Sequence, residues 1–316
     1  MRTALATLAL TLLATSAAAQ ERTETPPGTK VDADTIVVTG SAISDDAVAE
    51  FVKAVTVEAE GGQLAAFHAP VCPKSFGLPE AFNAVIEDRI RAVARDAGIE
   101  VADADCRVNI AVFVADDGSE LIARLRAEHP SMFAGRDASD NRGLVLQDGP
   151  VRAWQVLDAR GSDGRLVRRV NFVDARALPR GKVLFLPRGK VVDGVVSSKL
   201  TRPLRQDLAL SYVVIDVGAT DGLSLAQIGD HAAMRALAQT DPEAAAATGQ
   251  PTILSLFADR GAGRSPVEAI TDWDKAFLKS LYETRRTVSA GLQRSSMTRI
   301  AREALAAGEP ESDDTD

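Results

Sequence analysis

Aromatic residues are scarce in this chain: Phe, Trp and Tyr make up 4 % of 316 residues, with only two Trp and two Tyr. Sites that hold sugars or nucleobases by stacking need aromatic platforms, so this scarcity argues against both. Histidine is scarcer still. His68, His129 and His231 are the whole complement, and no two stand one helical turn apart. A catalytic zinc site needs three protein ligands and an open position. No G-x-S-x-G elbow, G-x-x-x-x-G-K-[ST] loop or G-x-G-x-x-G turn occurs, so serine-hydrolase and phosphate-cradling signatures are missing. Cysteine is limited to Cys72 and Cys106. In an oxidising compartment an even count points to one bridge, worth about 4 kcal/mol in the chain-entropy model. The alternative is a pair of buried free thiols. A thiol nucleophile is disfavoured, because neither Cys sits in a His-containing motif.

What is present begins with a targeting segment. Arg2 supplies a positive start, Ala4–Ala14 is almost wholly apolar, and Ala17-Ala18-Ala19 fits a small-residue cleavage site. The pattern is that of a signal peptide cleaved after Ala19, which implies a periplasmic or secreted location. No other stretch reaches the roughly 18 apolar residues of a membrane span. The hydrophobic content of 46 % supports a real core, built mainly from Ala, Val and Leu.

The formal net charge is −8, but its distribution is uneven. Eleven Lys and Arg lie between residues 165 and 205, opposed there by Asp174 and Asp193 alone. A basic face in an acidic protein can attract lipid headgroups, envelope phosphates or an acidic partner, or can simply be a solvated surface. Within it, Leu178–Val183 and Leu186–Val191 repeat the same Leu-Pro-Arg-Gly-Lys-Val hexad. Two copies are too few for a solenoid and read as two linked turns in an exposed β arm. Arg180, Lys182, Arg188 and Lys190 are its candidate anion-binding residues. Export and net charge disfavour nucleic acid as a partner.

Along the chain, residues 20–45 read as a flexible lead-in. Thr35–Gly40 resembles the "I-V-V-T-G" segment of TonB-dependent outer-membrane receptors, and reads as an ordinary first strand or one that adds to a partner's sheet. Residues 46–150 read as an α/β half. Within it, a strand is expected over Leu64–Val71. A helix is expected from Pro79 to Ala97, with Phe82, Val85, Ile86, Ile90 and Val93 on its apolar face and Gly98 as its stop. A strand over Val108–Val114 and a helix over Glu120–Glu128 follow. Residues 151–207 read as a β-rich basic insertion in which Leu166–Val173 pairs back on Ala153–Leu157. Residues 208–308 read as a helical half, and 309–316 as a disordered acidic tail. Thr271 and Asp274 have capping-box spacing ahead of a helix expected to reach Thr287.

The helix expected over Leu223–Ala238 carries Leu225-Ala226-Gln227-Ile228-Gly229-Asp230-His231. It resembles the metzincin active helix, H-E-x-x-H-x-x-G-x-x-H, in degenerate form. With His231 on the second histidine, Gln227 stands at the first, Ile228 at the general base, Met234 at the glycine and Leu237 at the third histidine. Downstream, Pro251–Phe257 resembles the Met-turn, with Leu254 in place of Met. Ile270–Tyr282 resembles the closing helix of matrixins. The resemblance spans residues 210–283. A second resemblance, to exported alphaproteobacterial proteins of unknown function, rests on the helix and the "D-W-D/L-Y" ending and implies no activity.

The resemblance implies an α+β fold, a zincin-like mixed sheet with packed helices, here with an inserted β-hairpin arm. It also implies a cleft over the helix, with Gln227, Asp230 and His231 as candidate binding residues. The missing ligands and base imply no zinc, no cofactor and no peptidase chemistry. The expected function is that of an exported, non-catalytic protein binding a protein or envelope component. The alternatives are a hydrolase with an unrecognised site, or an adaptor working through its N-terminal strand or basic arm.

Overall fold

The computed structural model describes residues 43–59, 61–103, 105–134, 149–161, 164–165, 168–169, 183–186, 190–193 and 202–307. The signal-peptide reading, the Thr35–Gly40 segment and the acidic tail lie outside these residues. So do Arg180, Lys182 and Arg188 of the basic arm.

The fold is α+β, a mixed sheet with helices on both faces. The central sheet holds β1 (Ala66–Phe67), β2 (Pro73–Phe76), β3 (Ile110–Ala115), β4 (Val151–Gly161) and β8 (Leu204–Asp216). Strand β3 runs parallel between β2 and β8, and β4 runs antiparallel along the other edge of β8. Strand β1 also pairs parallel with β8, through Asp207 and Leu208, on the same edge as β3 but lower down.

Alternation along β3 and β8 divides the interior in two. Ile110, Val112, Val213 and Ile215 face a large core shared with α1 (Asp45–Val55), α2 (Glu80–Asp96), α4 (Leu225–Leu237), α7 (Asp272–Glu283) and α8 (Ala290–Ala306). Ala111, Tyr212 and Val214 face a small core closed by α3 (Gly118–Glu128) and the 3-10 turn Pro130–Phe133. There Phe133, Trp154 and Tyr212 stack in series, with ring centroids 5.0 and 5.1 Å apart. Much of the chain's small aromatic content is thus spent on packing.

Helix starts follow local chemistry. Ser44 and Asp117 cap α1 and α3 by accepting from Ala47 and Glu120 N–H groups. The Thr271/Asp274 capping box opens α7. Two short helices, α5 (Pro242–Ala247) and α6 (Leu256–Gly261), complete the C-terminal part. Gly77 has φ +104° and turns the chain between β2 and α2, where a Cβ would collide with the Val114 carbonyl.

Several expectations are corrected. Residues 151–161 and 204–207 are not part of an insertion, because β4 pairs β8 from Val151 to Gly161 within the central sheet. Between them lies a separate antiparallel sheet of β5 (Arg168–Arg169), β7 (Lys190–Asp193) and β6 (Val183–Leu186). Arg168 and Arg169 pair with β7 rather than with β4, taking the free edge of the β6–β7 hairpin. Phe82 and Val85 are exposed, at 49 % and 39 %, because the buried stripe of α2 begins at Ile86 and runs through Glu87, Ile90, Val93 and Ala94. Strand β1 covers only Ala66–Phe67, and α7 ends at Glu283. Cys72 and Cys106 form a disulfide. No helix among the described residues is long and apolar enough to cross a membrane.

Candidate functional site

Helix α4 begins with a second capping box, in which Ser224 accepts from Gln227 N–H and the Gln227 side chain accepts from Ser224 N–H. The Gln227 amide also donates to the Val267 carbonyl at 2.8 Å. It borders a cleft of about 620 Å³ with Ser224, Arg260 and Glu268. Asp230 and His231 do not open onto that cleft.

Asp230 is wholly buried. Its carboxylate accepts from Arg89 Nε at 2.8 Å, Arg89 Nη2 at 2.6 Å and Ile270 N–H at 2.8 Å. This bidentate pair raises the Arg89 pKa. Gly229 permits the approach, because a Cβ there would lie 2.7 Å from Arg89 Cβ. Asp230 therefore clamps α4 to α2 and to the start of α7.

His231 is 2 % exposed and does not face a cleft, contrary to the expectation from the resemblance. The physical reason is packing: the next residues, Ala232, Ala233 and Met234, are all fully buried, and Phe257 meets the imidazole edge-on at 4.9 Å. Its Nδ1 has no hydrogen-bond partner. Burial, followed by the nearby Arg235, pushes its pKa down to about 3, so the ring is neutral near pH 7. Ile228 and Leu237, at the base and third-ligand positions of the resemblance, are buried and apolar. These residues do not fit a zinc ion. Among the described residues no group of three or more His, Cys, Asp or Glu is placed to hold a metal.

The Met-turn-like segment is tied to the closing helix by Asp274, also wholly buried. That carboxylate accepts from Thr252 Oγ1 at 2.5 Å, Ile253 N–H at 2.8 Å and both Thr271 donors. Burial still pushes its pKa up against those four hydrogen bonds.

A different concave site lies where the sheet breaks. Strand β1 pairs with β8 as far as Leu208, and β3 resumes at Ser211. On the opposite edge the β4 register passes from Val156↔Leu210 to Leu157↔Leu208, which leaves Ala209 as a bulge. A bulge reverses the in–out alternation. Leu208 accordingly packs in the large core while Leu210 packs on the small one. A cleft of about 610 Å³ opens here, bordered by His68, Arg107, Asn109, Asp158, Arg160 and Asp207.

Register sets the charges around this cleft. Arg160 lies opposite Arg205, and Asp158 opposite Asp207. Like charges directly opposed are unfavourable, so stability must come from other pairings. Asp207, 3 % exposed, is approached by Arg205 Nη2 at 3.1 Å, Arg160 Nε at 3.3 Å and Arg286 Nη1 at 3.8 Å. Arg205 Nε stands 3.0 Å from Oδ1, off the angle a hydrogen bond requires. Asp207 Oδ1 and Arg286 Nη1 are buried without hydrogen bonds. Arg286 is held by Nη2 donating to the Phe67 carbonyl at 2.6 Å and by the Tyr282 ring beneath it. Partial burial, then Arg205, Arg286 and Arg160, lower the His68 pKa, with Asp207 opposing them. The disulfide fixes the wall, since Cys106 borders the cleft beside Arg107.

Sequence reasoning singled out none of Arg160, Asp207 or Arg286, and took Arg205 only as one member of the basic segment. The available signal was Arg205-x-Asp207, which a strand places on one face. Without the β4 register it is ordinary. Of the arm residues, only Lys190 falls among those described, opposite Leu186 and Arg169 in β7. In comparisons with known proteins, no family model, no curated protein and no solved structure matches this chain.

Proposed function

We propose that the chain is an exported, non-catalytic binding protein of the cell envelope, built on a degenerate metzincin-like scaffold. The observation that carries this reading is the state of helix α4. Each position at which the resemblance calls for a ligand or base is taken up by packing or by local structure. Gln227 closes a capping box and holds Val267, Ile228 and Leu237 fill the core, and His231 is buried against Phe257. The contact between His231 and Phe257, with Asp274 linking Thr252 and Ile253 to α7, also supports a relation among the three segments that carry the resemblance.

Water activation by zinc requires a ligand set and a base, and neither is available here. The scaffold serves instead to bind a protein or an envelope component. The test is elemental analysis of purified protein after exchange against micromolar zinc, together with a peptide-cleavage assay. The expected result is well under one zinc per chain and no cleavage, for both the parent and His231→Ala. Stoichiometric zinc that disappears in His231→Ala would return the protein to the metallopeptidases.

A further inference from the structure

We infer that the cleft at the β8 bulge binds a phosphate group, with Arg160, Arg107 and His68 contacting it and Arg205 and Arg286 supplying positive field from behind. This goes beyond the scaffold reading and stands without it, because none of these residues belongs to α4 or the segments that follow the resemblance.

The first argument is shape. Ala209 and Leu210 lack a strand neighbour on the β1/β3 side, and Ala209 is the bulge on the β4 side. Bulges cluster beside functional sites because they re-aim side chains and end pairing. Here the break in the sheet coincides with a concave space lined by charged and apolar groups.

The second argument is charge. Three guanidinium groups lie within 4 Å of the Asp207 carboxylate, and Arg160 also reaches Asp158 at 3.5 Å. Arg107 adds a further cation at the rim. Among the described residues, three partly buried guanidiniums face two carboxylates, a surplus that is costly to hold unless an anion arrives, and the exposed Arg107 adds to it at the rim. Arg286 Nη1 and Arg205 Nε are buried beside Asp207 without a hydrogen bond, so they act on the cleft through their field and not by contact.

The third argument selects the anion. With Arg107 at the rim the surplus exceeds one charge, which matches a phosphate dianion better than a carboxylate. Planar guanidinium groups engage tetrahedral phosphate oxygens in pairs. Among the described residues no aromatic side chain borders the cleft apart from the His68 imidazole, while Val156, Leu208 and Leu210 give it an apolar wall. A nucleobase would find no stacking platform, but the phosphate of a lipid headgroup or a soluble phosphate ester would fit.

The experiment is a titration of the disulfide-bonded protein with inorganic phosphate, followed by calorimetry and thermal melting. Chloride at matched ionic strength is the reference. Saturable binding is expected, weakened about tenfold in Arg160→Gln. It should also weaken in the double variant His68→Gln/Arg107→Gln and remain unchanged in Lys279→Gln. His68, Arg107 and Lys279 are exposed, so those variants test binding even where Arg160→Gln disturbs folding. Phosphatidic acid in phosphatidylcholine vesicles that competes with inorganic phosphate assigns a lipid source. Saturable phosphate binding without such competition assigns a soluble ester. A phosphate response no larger than that of chloride, or undiminished affinity in the double variant, overturns the proposal.

Discussion

Two buried carboxylates, Asp230 and Asp207, are each approached by arginine, and the two arrangements differ in kind. Asp230 meets one guanidinium and one backbone N–H, and both its oxygens are filled. Asp207 meets three guanidiniums, yet its Oδ1 has no hydrogen bond and two arginine donors nearby are spare. The first is a clamp, complete within the fold. The second leaves positive charge behind a cleft that Arg160 and Asp207 border. The balance of donors and acceptors, rather than burial alone, separates a structural ion pair from a binding site.

Opening the disulfide should have the largest effect. Cys72 and Cys106 are separated by 34 residues. Replacing both with Ser should cost about 4 kcal/mol in denaturant unfolding by the loop-entropy estimate. It should also weaken phosphate binding, since the bridge fixes the segment that carries Arg107, while the Asp230 clamp persists.

Asp230→Ala should come next. It strands Arg89 and the Ile270 N–H, and should cost about 3 kcal/mol, at the low end for a broken buried pair because Arg89 is partly exposed. Phosphate affinity of the folded fraction should not change. A loss of affinity would erase the distinction between clamp and cleft.

The two histidines offer a third contrast. The His231 pKa is about 3 in the folded chain, against 6.5 for the free side chain. The unfolded chain therefore takes up this proton first as pH falls. Its contribution is complete above about pH 6.5 and is lost progressively toward pH 3, amounting to about 2 kcal/mol at pH 5. His231→Leu should flatten the acid limb of a stability–pH curve by that amount. The same change at the exposed His68 should leave the limb nearly as it was.

Substitution in the basic segment should have the smallest effect on the fold. Changing Arg180, Lys182, Arg188 and Lys190 to Ser should weaken attachment to anionic vesicles, as added salt should. Affinity for inorganic phosphate should stay at the parent value, which separates the arm from the cleft.

Much of the architecture was legible because it is local. Gly98 stops α2 with φ +75°, and the Thr271-x-x-Asp274 spacing opens α7. The Cys pair formed its bridge as the count implied. The apolar rhythm of α2 marks a face but not its partner, and Phe82 and Val85, which share that rhythm, are exposed. The cleft was illegible for a non-local reason. Arg205 and Asp207 acquire meaning only when β4 sets Arg160 and Asp158 opposite them and the Ala209 bulge reverses the alternation. For His231 a motif gives only spacing on a helix, while Phe257 and the buried run after His231 put the ring in the core and not in a cleft.

The most direct test of the surplus at Asp207 is the titration of His68 by proton NMR, with and without phosphate. Only three histidines are present, so His68→Gln assigns its signal. Without phosphate its pKa should lie below the ordinary value, held down by partial burial and by Arg205, Arg286 and Arg160. A bound dianion should raise it, while the buried His231 should not respond. An unshifted His68 at saturating phosphate would contradict the account.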